Sequence, residues 1–445
     1  MGISSSLNAG VSGLNANANK LATISDNIAN SQTYGYKRAD VDFSSIAISD
    51  SKSPNTVGGG RWFNAGGVRT GAIWDVDAKG QLVSTSNSTD IAITGRGFLP
   101  VTSTSAVSTA KTAADLPFML TSTGSFKTDK DGFLTTDSGL TLLGWPADNN
   151  GKVAQQPRDT SNGLVPVHIN TSAVAMEPTA NIGLNVNLPT DDVTAGASGD
   201  ARTVTIQYYD NVGAAQTLSV TLTPTVPATG RSNQWTMEIT DNASGTSLGT
   251  GTLTFNDAPP NAGGLASFTG GLAGTWDSAT GNLALGLGGG QTITMAMGST
   301  DPTVANHLTQ TASTFSSSGV SHDGNAAGTF TGLSIDANGN LSATYSTGFS
   351  KVLYQVPVAD VPNPDGLTVL DNQCFALSPS SGNMFLWDAG TGPVGATEGF
   401  ARETSTTDIA DELTQLIQTQ RAYSSNAKII QTVDEMLQET TNLKR

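Results

Sequence analysis

The C-terminal residues 406–445 constrain the fold of this chain more than any other stretch. Apolar side chains recur there in alternating steps of three and four residues, the heptad spacing of a helix that packs along one side. No Pro or Gly interrupts the stretch, and its acidic start and basic end suit the helix dipole. The apolar positions are Ile409, Leu413, Leu416, Ile417, Tyr423, Ile430, Val433, Met436 and Leu437. A helix about 50 Å long with so one-sided an apolar stripe needs a partner.

Residues 3–28 offer that partner at the other end of the chain. The apolar positions again follow heptad steps, at Leu7, Val11, Leu14, Ala18, Leu21, Ile24 and Ile28. Gly10 and Gly13 lie inside this segment, and each costs about 1 kcal/mol of helix stability relative to Ala. We therefore expect the first helix to form only when it is packed. The pattern predicts a helical coiled coil of the two termini, although two edge helices on an ordinary core would give similar spacing.

Composition narrows the function classes. Only 13% of the residues are charged, against about 25% in a typical soluble domain, and the chain contains 50 glycines. The net charge of −16, without any basic patch, argues against nucleic-acid binding. No apolar run approaches the length of a transmembrane helix, so we expect no membrane insertion. One cysteine and three separated histidines exclude a disulfide framework and show no metal-ligand spacing, so no cofactor is expected.

The body of the chain reads as short β segments separated by turns, beginning at Val68. Period-2 alternation between about 175 and 325 predicts half-buried antiparallel strands. Near residue 330 the pattern of the first β region returns. We therefore predict a multidomain, mainly β chain with nested discontinuous domains. These are a terminal helical coiled-coil domain (1–30 plus 406–445), a connecting segment (31–67), an inner β domain (68–150 plus 330–405) and an inserted outer all-β domain (151–329).

A four-residue pattern with Asp first and Gly fourth recurs in the β regions. It occurs at Asp77–Gly80, Asp129–Gly132, Asp148–Gly151 and Asp336–Gly339. Asp can bond the turn backbone and Gly can take the left-handed conformation, so we predict hairpin turns. A calcium loop is the alternative at Asp129–Gly132, but the other ligand positions of an EF-hand are missing.

No constellation of catalytic residues stands out. Residues 245–249 match the nucleophile-elbow pattern, but they lie in a turn-like stretch with no marked His partner. No glycine run has the strand–helix context of a dinucleotide site, and no paired carboxylates suggest a general acid and base. We therefore expect a protein that is not an enzyme.

Three stretches resemble motifs of the bacterial flagellar axial family of rod and hook proteins. The first, NIAN-x-x-T-x-GYK, falls on Asn27, Asn30, Thr33, Gly35, Tyr36 and Lys37. The second falls on Asp90, Gly95, Gly97 and Phe98, and the third on Gln420, Arg421, Asn426, Lys428, Thr432, Asp434 and Met436. The middle of the chain shows no recognisable motif of this kind.

The resemblance implies a structural role. In this family the terminal helices of many subunits pack into concentric tubes around an export channel. A chain of 445 residues with an inserted outer domain resembles the hook-forming members, whose flexible tube acts as a universal joint that transmits torque from rod to filament. The apolar residues of both terminal segments would then form the self-assembly interface. Deferred helix formation would explain Gly10 and Gly13.

The resemblance also implies partners and a location. The partners would be further copies of the chain, the distal rod, hook cap and hook–filament junction proteins, and the flagellar type III export machinery. The protein would lie outside the cell, exported without a cleaved signal peptide. This would account for a surface-like composition beside an N-terminus that does not read as a signal peptide.

Two other functions are open. A distal rod protein is a close alternative, which the chain length disfavours. A surface β-domain adhesin or glycan-binding module with a coiled-coil stalk belongs to a different class. It would need an exposed aromatic patch, for which Trp235, Tyr208 and Tyr209 are the candidates.

Overall fold

A long helix at each end and a mainly β body make up the protein. The computed structural model describes residues 3–47, 65–109, 115–301 and 303–442. The helices are α1 (Ile3–Ala29), α2 (Thr104–Val107) and α3 (Ile409–Asn442), and short 3-10 turns lie at Asp191–Val193, Gly288–Gly290 and Pro364–Gly366. The Asp408 carboxylate caps α3 by accepting from the Ala410 amide at 2.8 Å. The prediction of a mainly β chain with terminal helices is confirmed.

The described chain divides into two compact units. The first comprises the described residues up to Thr171, together with Gly332–Thr344 and those from Ser350 onward. The second comprises Ser172–Thr331 and Tyr345–Phe349. Residues 151–171, which the sequence assigns to the inserted domain, pack in the first unit. Leu164, Val167 and Ile169 are buried there because the local chain pairs with the strand that ends at Pro146.

After α1, the first unit continues with a hairpin and then short strands. These are β1 (Ala39–Ala47), β2 (Ala65–Trp74), β3 (Leu82–Ser84), β4 (Asp90–Thr94), β5 (Leu99–Ser103), β6 (Met119–Thr121), β7 (Thr123–Thr128), β8 (Leu134–Thr136), β9 (Leu140–Pro146) and β10 (Val165–Pro166). β1 pairs with β2 from Ala39 opposite Trp74 onward, which forms the antiparallel β1–β2 hairpin. Phe98, Leu120 and Trp145 belong to a buried apolar cluster of this unit.

Among the described residues, the second unit contains twelve whole strands and most of a thirteenth, β23, and most of them lie in two sheets. They are β11 (Val174–Glu177), β12 (Asn181–Pro189), β13 (Arg202–Tyr209), β14 (Ala215–Pro224), β15 (Gln234–Asp241), β16 (Thr246–Phe255), β17 (Leu265–Gly270), β18 (Gly274–Asp277), β19 (Asn282–Gly286), β20 (Thr292–Ala296), β21 (Leu308–Thr311), β22 (Ser316–His322) and β23 (Asn325–Ile335). β13 to β17 form an antiparallel sheet in chain order, and the alternating burial of β13 and β14 confirms the period-2 prediction. β12 departs from it, because it pairs in parallel with both β20 and β21.

The chain then returns to the first unit. The remaining strands are β24 (Asn340–Tyr345), β25 (Ser350–Gln355), β26 (Val358–Asp360), β27 (Thr368–Leu370), β28 (Cys374–Ala376), β29 (Phe385–Trp387), β30 (Ala396–Gly399) and β31 (Ala401–Glu403). β30 pairs with β4, β28 with β6 and β31 with β3. Strands from the two ends of the chain thus share sheets, which brings the start of α3 close to the end of α1.

Three of the four predicted Asp–Gly turns form as expected. In each, the Asp carboxylate accepts backbone amides two and four residues ahead and the Gly has a positive φ, at Asp129, Asp148 and Asp336. The prediction for Asp77–Gly80 is wrong. The Gly80 amide donates instead to the Glu403 carboxylate at 2.7 Å, and a Cβ there would lie 2.0 Å from the Thr404 carbonyl oxygen.

Candidate assembly interface

The two terminal helices pack on each other in antiparallel directions. A Cβ on Gly10 would lie 3.2 Å from Cγ1 of Ile430, and one on Gly13 would lie 3.1 Å from Nδ2 of Asn426. The later residue of α1 therefore meets the earlier residue of α3. Because glycine has no side chain, the two helices approach closely at both positions. The glycines that weaken α1 in isolation are also contact positions for α3.

A mainly polar row of side chains runs along the buried side of α3, beside the apolar Ile430 that faces Gly10. Glu412 and Thr419 are buried, Asn426 is half-buried, and Val433 completes the row at the same seven-residue spacing. Two turns of helix separate successive members, so all four point to one side. The heptad repeat in α3 therefore includes a polar row beside the apolar one.

The apolar stripe itself faces solvent in the single chain. We define the α3 stripe as Ile409, Leu413 and Ile417, which follow one another at steps of four residues and whose exposed fractions run from 44% to 51%. Leu413 and Ile417 lie about 100° and 140° around the helix from Glu412. Scattered exposed apolar residues are ordinary, but a continuous row along a helix marks an interaction surface. α1 therefore leaves this part of the apolar row uncovered, although Ile430 of the same row faces Gly10 of α1.

The other predicted interface residues divide by exposure. Ile24 and Val433 are buried within the chain, and Val11 is exposed. Half-buried positions are Leu7, Leu14, Leu21, Ile28, Leu416 and Ile430. Their role in contacts between copies remains a prediction, as does the coiled-coil geometry.

Hydroxyl side chains bond the backbone along α3. The hydroxyls of Thr414, Thr419, Ser425 and Thr432 each donate to the carbonyl four residues earlier, at 2.8 to 2.9 Å. Each of these carbonyls then accepts two hydrogen bonds, one from the helix amide and one from the hydroxyl. The remaining residues of the third motif are exposed, namely Gln420, Arg421, Lys428, Asp434 and Met436.

The first motif builds the turn after α1. Thr33 donates to the Asn30 side chain at 3.1 Å, and Gly35 has a φ of +74° that a side chain would resist. Asn27 is fully buried and bonds both backbone groups of Ala39, donating at 2.8 Å and accepting at 3.0 Å. Asn27 therefore fixes the start of the β1–β2 hairpin against the end of α1.

Tyr36 strengthens the same contact. Its hydroxyl lies 3.1 Å from both the Asn27 side-chain oxygen and an Asp26 carboxylate oxygen. Burial raises the pKa of Tyr36 well above its usual range, and the Asp26 charge adds to this effect. The hydroxyl thus stays protonated and donates a hydrogen bond.

Two ion pairs join the N-terminal segment to the C-terminal segment. Lys37 Nζ lies 2.8 Å from Glu403 Oε1, and both side chains are almost fully buried. Arg38 Nε donates to the carboxylate of Glu412, the buried residue in the first turn of α3. Burial disfavours the charge of Arg38, but the hydrogen bonds and negative charges of Glu412 and Asp40 together outweigh this and raise the Arg38 pKa. We call these four residues the junction.

The second motif serves the β body. Asp90 accepts hydrogen bonds from Ser125 at 2.6 Å and from Asn87 at 2.7 Å. Gly95 and Gly97 have φ values of +118° and +119°, and Phe98 packs against Phe375 at 5.7 Å between ring centroids. This motif therefore positions strands and supplies no part of the α3 stripe.

Sequence reasoning missed Arg38, Glu403 and Glu412 as functional positions. The adjacent basic pair Lys37–Arg38 was a usable signal, because two consecutive cations near an apolar segment need counter-charges. No comparable signal marks Glu403, which lies 366 residues from Lys37 in the chain.

An adhesin, a metal-binding protein and a membrane-spanning protein would each need features of other kinds. Trp235 and Tyr208 are buried in the second unit, so they cannot form the exposed aromatic patch of an adhesin. Among the described residues, no group of three or more His, Cys, Asp or Glu side chains could hold a metal ion. None of the helices in the described ranges is long and apolar enough to cross a membrane.

Comparisons with known proteins decide the family. Residues 7–37 match the family described as flagella basal body rod protein, and residues 398–443 match the flagellar basal body rod FlgEFG protein C-terminal family. The flagellar hook protein FlgE of Brucella abortus is 33% identical over 438 residues, which cover 98% of each chain. The chain belongs to the flagellar hook protein family. The hook protein FlgE of Rhizobium meliloti is 31% identical over the full length of both chains.

The family assignment extends through the middle of the chain. Residues 181–325 match the flagellar basal body protein FlaE D2 domain family, so the expectation of no recognisable signature there is wrong. A crystal structure of Helicobacter pylori flagellar hook protein FlgE2 aligns with 71% of this chain and 99% of its own, at 14% identity and a TM-score of 0.49. This hook-family chain is a structural subunit of the bacterial flagellar hook, a component of motility outside the cell body. A structural family fits the expectation of a protein that is not an enzyme.

Proposed function

We propose that this hook subunit polymerises through its terminal helices into a hollow tube, with the α3 stripe packed on neighbouring copies. The exposure of the stripe is the observation that carries the proposal, because α1 packs on another side of α3, at Asn426 and Ile430. Burying a large apolar side chain contributes about 1.5–3 kcal/mol. Three such residues in a row give a neighbour an apolar surface on which to pack.

The proposed contact between copies can be repeated from one subunit to the next. The stripe lies on one side of α3, whereas the half-buried apolar residues of α1 lie on the other helix. When two different surfaces of one chain meet across copies, the contact is heterologous and generates rings or open helical assemblies. Many copies joined in this way enclose a channel lined by the terminal helices.

The β body supports a flexible tube. The chain carries only 13% charged residues, so few fixed ion pairs can form between β surfaces. Weak contacts of this type can re-form as subunits shift, which is what a universal joint between rod and filament requires. The distal rod, hook cap and hook–filament junction proteins would contact this tube, and the type III export machinery would deliver the subunits without a cleaved signal peptide.

Electron microscopy of the purified protein tests the proposal. The full chain is compared with a truncated chain that lacks residues 1–30 and 406–445. Tubes from the full chain alone are the expected result. A full chain that stays a discrete monomer or trimer, even when hook cap protein or preformed hook fragments are supplied, would contradict the proposal and favour a stalked surface module.

A second variant separates the two units. Replacing residues 175–325 by a short linker should change the curvature or stiffness of the tubes while tubes still form. Loss of all tubes would show that the second unit is needed for assembly itself.

A further inference from the structure

We infer that Asn162 is a site of spontaneous covalent modification, at which the side-chain amide converts to aspartate and isoaspartate as the subunit ages. The reaction needs no enzyme, and water is its only second reactant. It takes place in a loop of the β body of the single chain. The inference therefore goes beyond the proposed polymerisation and does not depend on it.

An Asn that is followed by Gly can react with its own main chain. The Gly amide nitrogen gives up its proton to solvent and attacks the side-chain carbonyl carbon of the Asn. A nitrogen–carbon bond forms, and the side-chain nitrogen leaves as ammonia. Water then opens the resulting cyclic imide at either carbonyl, which yields aspartate or isoaspartate. Glycine permits this because it has no side chain to block the approach and its backbone adapts readily.

The chain has three such pairs, at Asn150–Gly151, Asn162–Gly163 and Asn338–Gly339. Two of them lie in the Asp–Gly turns Asp148–Gly151 and Asp336–Gly339. In each turn the Gly amide donates to the Asp carbonyl, at 3.0 and 3.1 Å. The Asp carboxylate also accepts the amides two and four residues ahead, at 2.8 to 2.9 Å. These bonds must break before the Gly nitrogen can attack, so the turns protect both pairs.

Asn162–Gly163 lies in a loop without such restraints. Both residues are exposed. Within the described ranges, neither the Gly163 amide nor the Asn162 side chain makes a hydrogen bond, and the turn is closed only by the Leu164 amide, which donates to the Ser161 carbonyl at 3.2 Å. The attacking nitrogen and the carbonyl carbon can therefore meet through local motion, without the loss of a hydrogen bond at either group.

The same loop requires the glycine that makes Asn162 labile. Gly163 has a φ of +87°, and a Cβ on it would lie 2.3 Å from Oε1 of Gln156. A larger residue would hinder the attack, but the backbone conformation and the Gln156 side chain both disfavour one here. The reactive pair is thus part of the way this loop folds.

The three Asp–Gly pairs of the chain are poorer sites for the same reaction. A carboxylate is ionised near neutral pH, and its negative charge repels the attacking nitrogen. Two of them are also held by backbone amides, since Asp323 accepts from Asn181 and Asp365 accepts from Val76, each at 2.9 Å. The third pair, Asp131–Gly132, lies in a turn of the restrained kind described above.

The loop can take the change without unfolding the unit. One end is fixed at Arg158, whose carbonyl accepts from the Leu386 amide at 2.7 Å, and the other at Leu164, which is 2% exposed. Isoaspartate lengthens the main chain between these points by a methylene group, and both products add a negative charge to an exposed surface. Modified subunits therefore stay folded, and the modification accumulates with time.

Peptide mass spectrometry of the aged full-length protein tests the inference. The purified chain is incubated in mildly alkaline buffer, and an isoaspartate-specific methyltransferase labels the isoaspartate product. Asn162 should convert at least about tenfold faster than Asn150 and Asn338, because even one or two hydrogen bonds slow opening by that much. In concentrated urea the three residues should convert at similar rates, since all three precede Gly.

Variants identify the cause of the difference. Asn162→Gln keeps an amide but requires a larger, less favourable ring, so the label should disappear from the loop while the urea midpoint stays unchanged. Asp148→Ala removes the carboxylate that restrains Asn150, whose conversion should then rise toward the rate of Asn162. Asp137→Ala removes an exposed carboxylate that holds no amide of that turn, and should leave Asn150 protected.

Equal rates at the three residues of the folded chain would overturn the inference. So would a difference that persists in urea, because it would not come from the fold. In hooks sheared from cells, the converted fraction at residue 162 should rise with culture age, and a constant fraction would overturn the statement that the change accumulates. The proposed polymerisation is judged separately, by whether the full chain forms tubes.

Discussion

Gly13 of α1 faces the side chain of Asn426 in α3 so closely that a Cβ on Gly13 would lie 3.1 Å from Nδ2 and 3.2 Å from Cγ. Contacts of that length require the neighbour to shift. A flexible side chain can do so for one methyl group, but not for a larger branched residue. The distance between the two helices is thus set by what stands at this pair of positions.

Substitution at this pair should separate helix propensity from packing. Gly13→Val should release α1 from α3 and lower the helix signal in circular dichroism. Gly13→Ala combined with Asn426→Ala removes the crowding and gains about 1 kcal/mol of helix stability. Thermal denaturation should show this double variant at or above the wild-type midpoint. A tolerated Gly13→Val would mean that the helices do not touch there.

The α3 stripe should be needed for assembly and not for folding. Ile417→Asp places a charge on a side chain that is 51% exposed in the single chain, so the free energy of unfolding should change by less than about 0.5 kcal/mol. In a neighbour contact the same carboxylate would be buried without a partner. We expect a folded monomer by circular dichroism and no tubes by electron microscopy. Ser425→Asp, on the exposed side away from the stripe, should still form tubes.

Gly97 should be among the least replaceable positions of the β body. A Cβ there would lie 2.2 Å from Cγ1 of Val358, at a φ of +119°. Gly97→Ala should therefore destabilise the first unit by more than the conformational cost alone, which is about 1–2 kcal/mol. Gly139 has a φ of +86° and open space around it, so Gly139→Ala should show only that cost. Urea denaturation of both variants makes the comparison, and equal losses would contradict the steric argument.

Lys79 should react with amine-directed reagents at unusually low pH. The residue keeps contact with solvent, but its ammonium group lies 5.0 Å from the Phe98 ring centroid. Desolvation, with the nearby charge of Lys37, lowers the pKa of Lys79 to about 8. Since only the neutral amine reacts, labelling should rise steeply between about pH 7 and pH 9.

Lys130 is the matched control for this labelling. A hydrogen bond to Asp131 raises its pKa, so its reaction should begin at higher pH than that of Lys79. Peptide mass spectrometry across a pH series measures both residues in one sample. Identical profiles would show that the Lys79 ammonium is as well hydrated as an ordinary surface lysine.

Sequence periodicity located α3 and its apolar row because 3.6-residue spacing is a local property. It could not show which side of α3 would meet α1. The covered side carries Asn426 and Ile430, which face Gly13 and Gly10 of the partner helix. Apolar spacing alone would have assigned the stripe to that partner.

Pairing between residues that are distant in the chain is the other feature that the sequence could not predict. Alternating burial predicts a strand but not the direction of its neighbour, so the parallel pairing of β12 with β20 was not foreseen. The bond between Lys37 and Glu403 likewise joins positions with no local relation. The motifs around Asn27 and Gly97 resemble those of a known family. The structure explains why these residues are needed, through buried hydrogen bonds and close backbone contacts.

The hydroxyl bonds along α3 bear on the mechanics of a tube. Each shared carbonyl, at Ala410, Gln415, Arg421 and Lys428, divides its hydrogen bonding between an amide and a hydroxyl. Such sharing loosens the helix locally and favours a slight bend. A rod with four such points is more compliant than an alanine-rich rod of equal length. If the proposed tube forms, a wall built from α3 would therefore flex along its helices as well as between them.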